Sequence, residues 1–407
     1  MKARLFLALL AACVFGAMAQ AGEEAKGIMF KDDLKFLQEH TQIVVLSDAS
    51  GDAKVAVAPA YQGRVMTSSA AGDDGLSFGW INRDLIASGK TLQHFNPLGG
   101  EERFWLGPEG GQFSIFFAKG APFDLDHWFV PPAIDTEPFD LVASDSGHAA
   151  FKKQVHLVNY SGTAFDLEVN RDVRLLSAER AWKDLGVAPA PAVKLVAYET
   201  ESKITNKGEN AWKKETGLLS IWILGMYNPS PATTIVIPFV AGPEAERGAI
   251  VNDAYFGKVP PDRLKIKDGL IFFSGDGKHR SKIGLSPKRC KPVAGSYDAA
   301  NKVLTLVQFT RPEGAADYVN SMWKMQDNPY AGDVVNSYND GPTSPGGKPL
   351  GPFYEIESSS PAAALAPGES LTHVHRTLHL QGDEAALDPI ARAALGVGLE
   401  EIKNGLK

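Results

Sequence analysis

Cysteine is nearly absent: only Cys13 and Cys290 occur in 407 residues. Cys290 therefore has no partner for a structural disulfide within the body of the chain. Stability has to come from a packed core, which a chain this long can build. Basic excess is missing too. Against 48 Asp and Glu stand 41 Lys and Arg, a net charge of −7 with a pI near 5.8, which argues against nucleic acid as a partner. Beyond the first residues, no apolar run approaches the ~20 residues that a membrane span needs. Internal repeats, low-complexity tracts and composition breaks are lacking, so no domain boundary is marked.

The amino terminus is the exception to this evenness. Lys2 and Arg4 precede an apolar run from Leu5 to Val14, followed by small residues at Ala17, Ala19 and Ala21. This order predicts a signal peptide over residues 1–21 and a periplasmic or secreted protein, with residues 22–407 as a single domain. Leu10-Ala11-Ala12-Cys13 also reads as a lipobox, in which Cys13 would carry a lipid anchor. The short stretch before Cys13, and Val14-Phe15 continuing the apolar run, favour soluble export. Outside the cytoplasm ATP and reduced nicotinamide are unavailable, so no cofactor is expected, and Cys290 reads as a buried thiol.

The composition is globular, 44% hydrophobic and 22% charged, with 40 Gly and 26 Pro to make turns. Helical spacing of Phe30, Leu34 and Phe36-Leu37 predicts a short helix over Phe30–His40. Short stretches rich in β-branched or aromatic residues then predict strands. These are Thr41–Leu46, Lys54–Pro59, Arg64–Ser68, Gln112–Phe117, Phe165–Leu175, Val193–Thr205 and Leu218–Leu224. Thr233–Phe239, Leu270–Phe273, Val303–Thr310, Phe353–Glu357 and Leu371–Leu380 follow. A second helix, capped by Asp383, holds Ala386, Leu387, Ile390 and Ala394-Leu395. The expected architecture is all-β: one large antiparallel sandwich with a short helix near each end.

Three segments carry a family resemblance. Phe353-Tyr-Glu-Ile-Glu357 through Pro361, followed by Leu365-Ala-Pro367-Gly368-Glu369, resembles the end of the galactose mutarotase-like (aldose 1-epimerase-like) proteins. There a strand bearing the catalytic glutamate leads to a Leu-x-Pro-Gly-Glu turn and a final strand. Val158–Phe165 and Ile204–Gly208 are similar to its strand-to-Asn-turn pieces. Gly99 to Gly111 resembles a Gly-Gly…Arg-x-Trp…Pro-Glu signature of uncharacterised members of the superfamily. The resemblance implies a β-supersandwich with a carbohydrate cleft on a concave sheet face, and it places Glu357 where the family carries its general base. The family's histidine acid is missing, for neither Asn159–Arg174 nor Asn206–Tyr227 contains a histidine.

The residues themselves leave alternatives open. On a strand Glu355 and Glu357 share a face, ~7 Å apart at Cα, with Tyr354 and Ile356 on the other. They mark either a cleft or a solvent-facing edge. In Gly99–Gly111 the glycines permit close backbone approach, Arg103 offers a planar fork and Trp105 a stacking face. Glu101 and Glu109 offer acceptors. The same residues also suit a structured loop with paired charges and a core tryptophan. His94-Phe95-Asn96 lies just upstream. The last strand sets His373, His375 and His379 on one face, expected to be its polar outer face. Without a third ligand His373 and His375 define no metal site, though either is a possible proton donor. Trp222 reads as core, and Lys278–Lys282 as a solvated loop.

Three functions fit: an exported aldose 1-epimerase-type isomerase, a non-catalytic sugar-binding accessory protein, or a glycoside-cleaving enzyme with paired carboxylates. In each the partner is a carbohydrate, and the oligomeric state is undetermined.

Overall fold

The structure is a computed structural model and describes residues 27–343 and 346–407. The signal-peptide and lipobox readings concern residues outside these. Among the described residues no helix is long and apolar enough to cross a membrane.

The fold is all-β, built of antiparallel sheets of ten, five and three strands. The large sheet runs from Leu264–Lys267 at one edge to Asp140–Ser144 at the other, and its centre pairs Ser370–Gln381 with Lys194–Asn206. The five-stranded sheet has the order Ser281–Leu285, Val335–Asn339, Tyr354–Ser359, Ser220–Tyr227, Arg103–Gly107. The three-stranded sheet, Val44–Ser47, Lys54–Ala58 and Arg64–Ser69, reaches the Arg103 strand through a bridge between Val65 and Glu102.

Alternation explains the layers. In Ala164–Leu175 the residues Phe165, Leu167, Val169 and Val173 are buried with Arg171 on one face, while Asp166, Glu168, Asn170 and Asp172 face the other way. Each such apolar side chain contributes roughly 1.5–3 kcal/mol on burial. In the last strand both faces are covered. Leu378 and Leu380 meet a helical layer containing Trp182, Leu387, Ile390 and Leu395. The opposite face, with His373, His375, Thr377 and His379, is buried as well. The histidine face is therefore interior and not a solvated outer surface, because the five-stranded sheet packs over it.

The Phe30–His40 helix has the bounds that its periodicity predicts. Phe30 and Leu37 are fully buried, and buried Asp33 accepts from Arg83 (2.6 Å) and Ser77 (2.5 Å). The Glu384–Leu395 helix follows Asp383, which occupies the N-cap without a side-chain capping bond. A further helix, Ala178–Leu185, is capped by the Ser177 hydroxyl and stopped by left-handed Gly186.

One predicted strand is absent. Residues 112–117 form turns, and Phe113, Phe116 and Phe117 pack instead against Tyr330, Trp128 and Trp323. Conversely, Arg103–Gly107, Ser281–Leu285 and Val335–Asn339 are strands although polar residues and glycine interrupt their apolar pattern. They lie in the five-stranded sheet, whose outward face is polar for the reason described next.

Candidate functional site in the five-stranded sheet

Register decides which side chains meet. Tyr338 pairs with Glu355 and Asn336 with Glu357. Across the next ladders Glu357 pairs with Leu224, Leu224 with Arg103, and Trp222 with Trp105. Lys282 pairs with Tyr338. All these side chains consequently point to one face, since cross-strand partners share a face. That face turns away from the large sheet. Tyr354 and Ser358, on the alternate positions, bond Ser296 and the His373–His375 pair of the large sheet.

The outward face carries two buried carboxyl–cation pairs side by side. Arg103 Nη2 donates to Glu355 Oε1 at 2.9 Å, and Lys282 Nζ donates to Glu357 Oε2 at 2.9 Å. Trp222 Nε1 donates to that same Glu357 oxygen, also at 2.9 Å. Aromatic faces surround the cations: Arg103 lies 4.4 Å from the Trp105 ring centre and 5.1 Å from that of Phe95, and Lys282 lies 4.7 Å from that of Trp222. Burial raises the Glu355 carboxyl to about 8. Arg103 opposes that rise and the neighbouring Glu357 reinforces it.

Several polar atoms here are buried without a protein partner. They are Glu357 Oε1, Arg103 Nε and Nη1, Trp105 Nε1 and Ser220 Oγ. A buried polar atom left unpaired costs about 1–3 kcal/mol, so a cluster of them marks a place built for a polar ligand or water.

Loops roof this face. Tyr255 donates to Asp333 at 2.6 Å and accepts from Asn336 at 3.1 Å. Glu109 is half-buried after the Arg103 strand, with its N–H bonded to Ser321 Oγ at 3.2 Å. Burial raises its carboxyl, Lys282 draws it down and Glu357 pushes it up again, so Glu109 shares the field of the Glu357 pair. The pocket under Tyr255, bounded by Gly107, Ser220, Trp222, Lys282 and Asn336, has room for about one water molecule.

The structure thus brings together Arg103, Trp105, Glu109, Glu355 and Glu357, and corrects four readings. Glu101 is not with them. It lies fully buried between the sheets, accepting from Ser68 N–H, Ser68 Oγ (2.8 Å) and Tyr198 (3.1 Å) and contacting His379 Nε2 at 3.1 Å. His373 and His375 are not proton donors to this face: both hold Ser358 Oγ at 2.8 Å on the opposite side of the strand. Burial lowers His373 to about 3 and holds His375 well below its ordinary value, keeping both neutral. The glycines serve protein contacts, not a ligand: a Cβ on Gly99 would stand 2.1 Å from Trp80 O, and one on Gly110 2.4 Å from Met322 O. Finally, Glu355 and Glu357 lie in the central strand of the sheet and form no solvent-facing edge.

One member of the cluster escaped the sequence reading. Lys282 sits in a basic stretch that reads as a solvated loop, yet it is a buried strand residue. Trp222 is packed in the core, as the sequence suggests, and its indole also holds Glu357. The available signal was the alternation Lys282-Ile283-Gly284-Leu285, with Ile283 and Leu285 fully buried. The upstream triplet also has defined roles. Phe95 faces Arg103, His94 bonds Trp128 O at 2.7 Å, and Asn96 donates to Asp135 at 2.7 Å. Cys290 is buried, which pushes its thiol up to about 12.

An all-β protein with a roofed, charge-paired face on its smaller sheet is the class these features define. The chain belongs to the family of unknown function DUF6786, which it matches over residues 28–406. No curated protein matches it. Among solved structures it is similar to a putative aldose 1-epimerase from Escherichia coli K12, at 13% identity, over 84% of this chain and 99% of that one, with a TM-score of 0.48. It is also similar to a galactose mutarotase-like protein from Lactobacillus casei ATCC 334, at 10% identity, over 84% and 100% of the two chains, with a TM-score of 0.46.

Proposed function

We propose that this is an exported carbohydrate-active protein that binds a sugar on the outward face of the five-stranded sheet and interconverts its anomers. The observation that carries the reading is the unpartnered Glu357 Oε1, buried beside the unpartnered Nε and Nη1 of Arg103 while Lys282 and Trp222 hold its other oxygen. A carboxylate fixed at one oxygen and free at the other is oriented to take a proton.

In this reading Glu357 removes the anomeric hydroxyl proton and a second group protonates the ring oxygen, so that the C1–ring oxygen bond opens and recloses on either face. Glu109 takes the place of the absent histidine. Burial favours its protonated form, and carboxyls whose environments push their proton affinities apart divide acid and base roles between them. Arg103 positions hydroxyl groups, and Trp105 supplies an apolar wall against the sugar's C–H face. The roof carrying Tyr255 moves aside to admit a hexose.

Polarimetry across a panel of aldoses tests this. Accelerated anomer interconversion that Glu357→Gln abolishes, with affinity largely kept, is the expected result. No acceleration for any aldose overturns the epimerase reading. Binding without interconversion would leave the accessory-protein reading, which the lack of a histidine in Asn159–Arg174 and Asn206–Tyr227 favours. Release of reducing ends would support the hydrolase reading.

A further inference from the structure

On the opposite side of the five-stranded sheet, between it and the large sheet, lies a cavity of about 820 Å³. That volume falls in the range of small-molecule sites. Tyr227 and Tyr354 reach it from the small sheet, Thr305 and His379 from the large one, and Phe78 lies stacked on His379 at 4.3 Å between ring centres. The Glu357 face contributes nothing to it.

Its polar floor is organised by one carboxylate. Glu101 accepts from Ser68 N–H, Ser68 Oγ and Tyr198 OH, so it acts as an acceptor toward His379 Nε2 as well, which must carry the proton. The other ring nitrogen, Nδ1, is then an acceptor, and the Thr305 hydroxyl 2.9 Å away donates to it. The lone pairs of Thr305 Oγ1 are left for the cavity. The Tyr227 ring lines the cavity, but its hydroxyl is fully buried over Gly225 and does not reach it.

The charge pattern selects the ligand. No lysine or arginine lines the cavity among the described residues. Its one carboxylate, Asp298, is already committed to Ser230 Oγ (2.5 Å), Asn301 Nδ2 (2.7 Å) and the Ala300 N–H (3.0 Å). Asn228 spends its amide N–H groups on Ser77 O and Gly79 O, which leaves a carbonyl oxygen. Hydroxyl and amide groups around an aromatic wall, without a cation, suit a ligand that donates many hydrogen bonds and bears no negative charge.

We propose that this cavity is a second ligand site, for an uncharged, hydroxyl-rich molecule of about disaccharide size, anchored by Thr305 Oγ1 and the side-chain oxygen of Asn228. It stands independently of the role given to Glu357.

Calorimetric titration of the purified protein with maltose, lactose, trehalose and sucrose tests the site, with glucose 6-phosphate as the charged control. At least one neutral disaccharide is expected to bind, and the phosphate at least tenfold more weakly. Among the described residues no tryptophan lines the cavity, so binding there leaves tryptophan emission unchanged, whereas a ligand beside Trp105 and Trp222 alters it. Ala300→Trp, at the exposed rim, should abolish the heat of binding. Thr305→Val should weaken it about three- to tenfold, the worth of one hydrogen bond, and serves alone if the rim variant fails to fold. Binding by none of the four, equal binding of the phosphate, or heat that survives both substitutions overturns the proposal.

Discussion

Lys282 Nζ and Glu357 Oε2 stand 2.9 Å apart, both buried, on strands separated by the Val335–Asn339 strand. Breaking such a pair strands a charge in a dry environment, and that costs more than the pair itself contributes. Lys282→Met should therefore lower stability by about 3–5 kcal/mol. The double variant Lys282→Met with Glu357→Gln should recover much of that loss. Urea unfolding of the three proteins reads the difference; equal losses in single and double variants would mean that the two charges are not coupled.

Trp222 supplies the second donor to Glu357. Trp222→Phe keeps a six-membered aromatic ring but removes the pyrrole half of the indole together with its N–H. The expected cost is about 1.5–3 kcal/mol, the range for a hydrogen bond to a charged group. Under the proposed function anomer interconversion should fall more than sugar affinity, because a loosened carboxylate binds passably but takes protons badly. An unchanged ratio of kcat to KM effects would argue against a positioning role.

Glu355 links stability to pH. Its folded-state pKa, about 8, stands above the ordinary carboxyl value of 4.5. Between those values the native state holds a proton that the unfolded chain has released, so stability falls as pH rises through this window. Glu355→Gln should flatten that slope. Thermal melts of both proteins from pH 5 to 9 measure it, and parallel curves would exclude Glu355 as the source.

His373 and His375 act with the opposite sign. Burial holds both below the ordinary 6.5, His373 at about 3. Below 6.5 the unfolded chain takes up protons that the native state refuses, so their contribution is present above that value and is lost as pH falls toward 3. His373→Gln should lessen acid destabilisation between pH 6 and 4, read by circular dichroism. An identical acid limb would show that other groups set it.

Glu101 separates interior from cleft. Glu101→Gln exchanges an acceptor of several hydrogen bonds for a group with half the accepting capacity. It should lower the melting temperature while leaving sugar binding at the Glu357 face unchanged. Calorimetry beside a thermal melt distinguishes this from direct ligand contact, which would show as lost affinity at unchanged stability.

Much of this protein was decided by local sequence. Alternation such as Phe165 to Leu175, and the helical spacing of Phe30 to Leu37, fix element type because one face of each must be buried. The shared face of Glu355 and Glu357 follows from the two-residue period of a strand, and so does that of the histidines from 373 to 379. Which of those faces met solvent was not legible. That depends on what packs above, and the five-stranded sheet covers the histidines while loops far along the chain roof the glutamates. The same limit separated Glu101 from Arg103, two residues apart yet one between the sheets and the other on the outward face, and hid Lys282 in a stretch that looks like surface. Period and propensity are properties of neighbours along the chain; pairing register joins strands such as Arg103–Gly107 and Tyr354–Ser359, some 250 residues apart, and only the folded sheet brings their charges together.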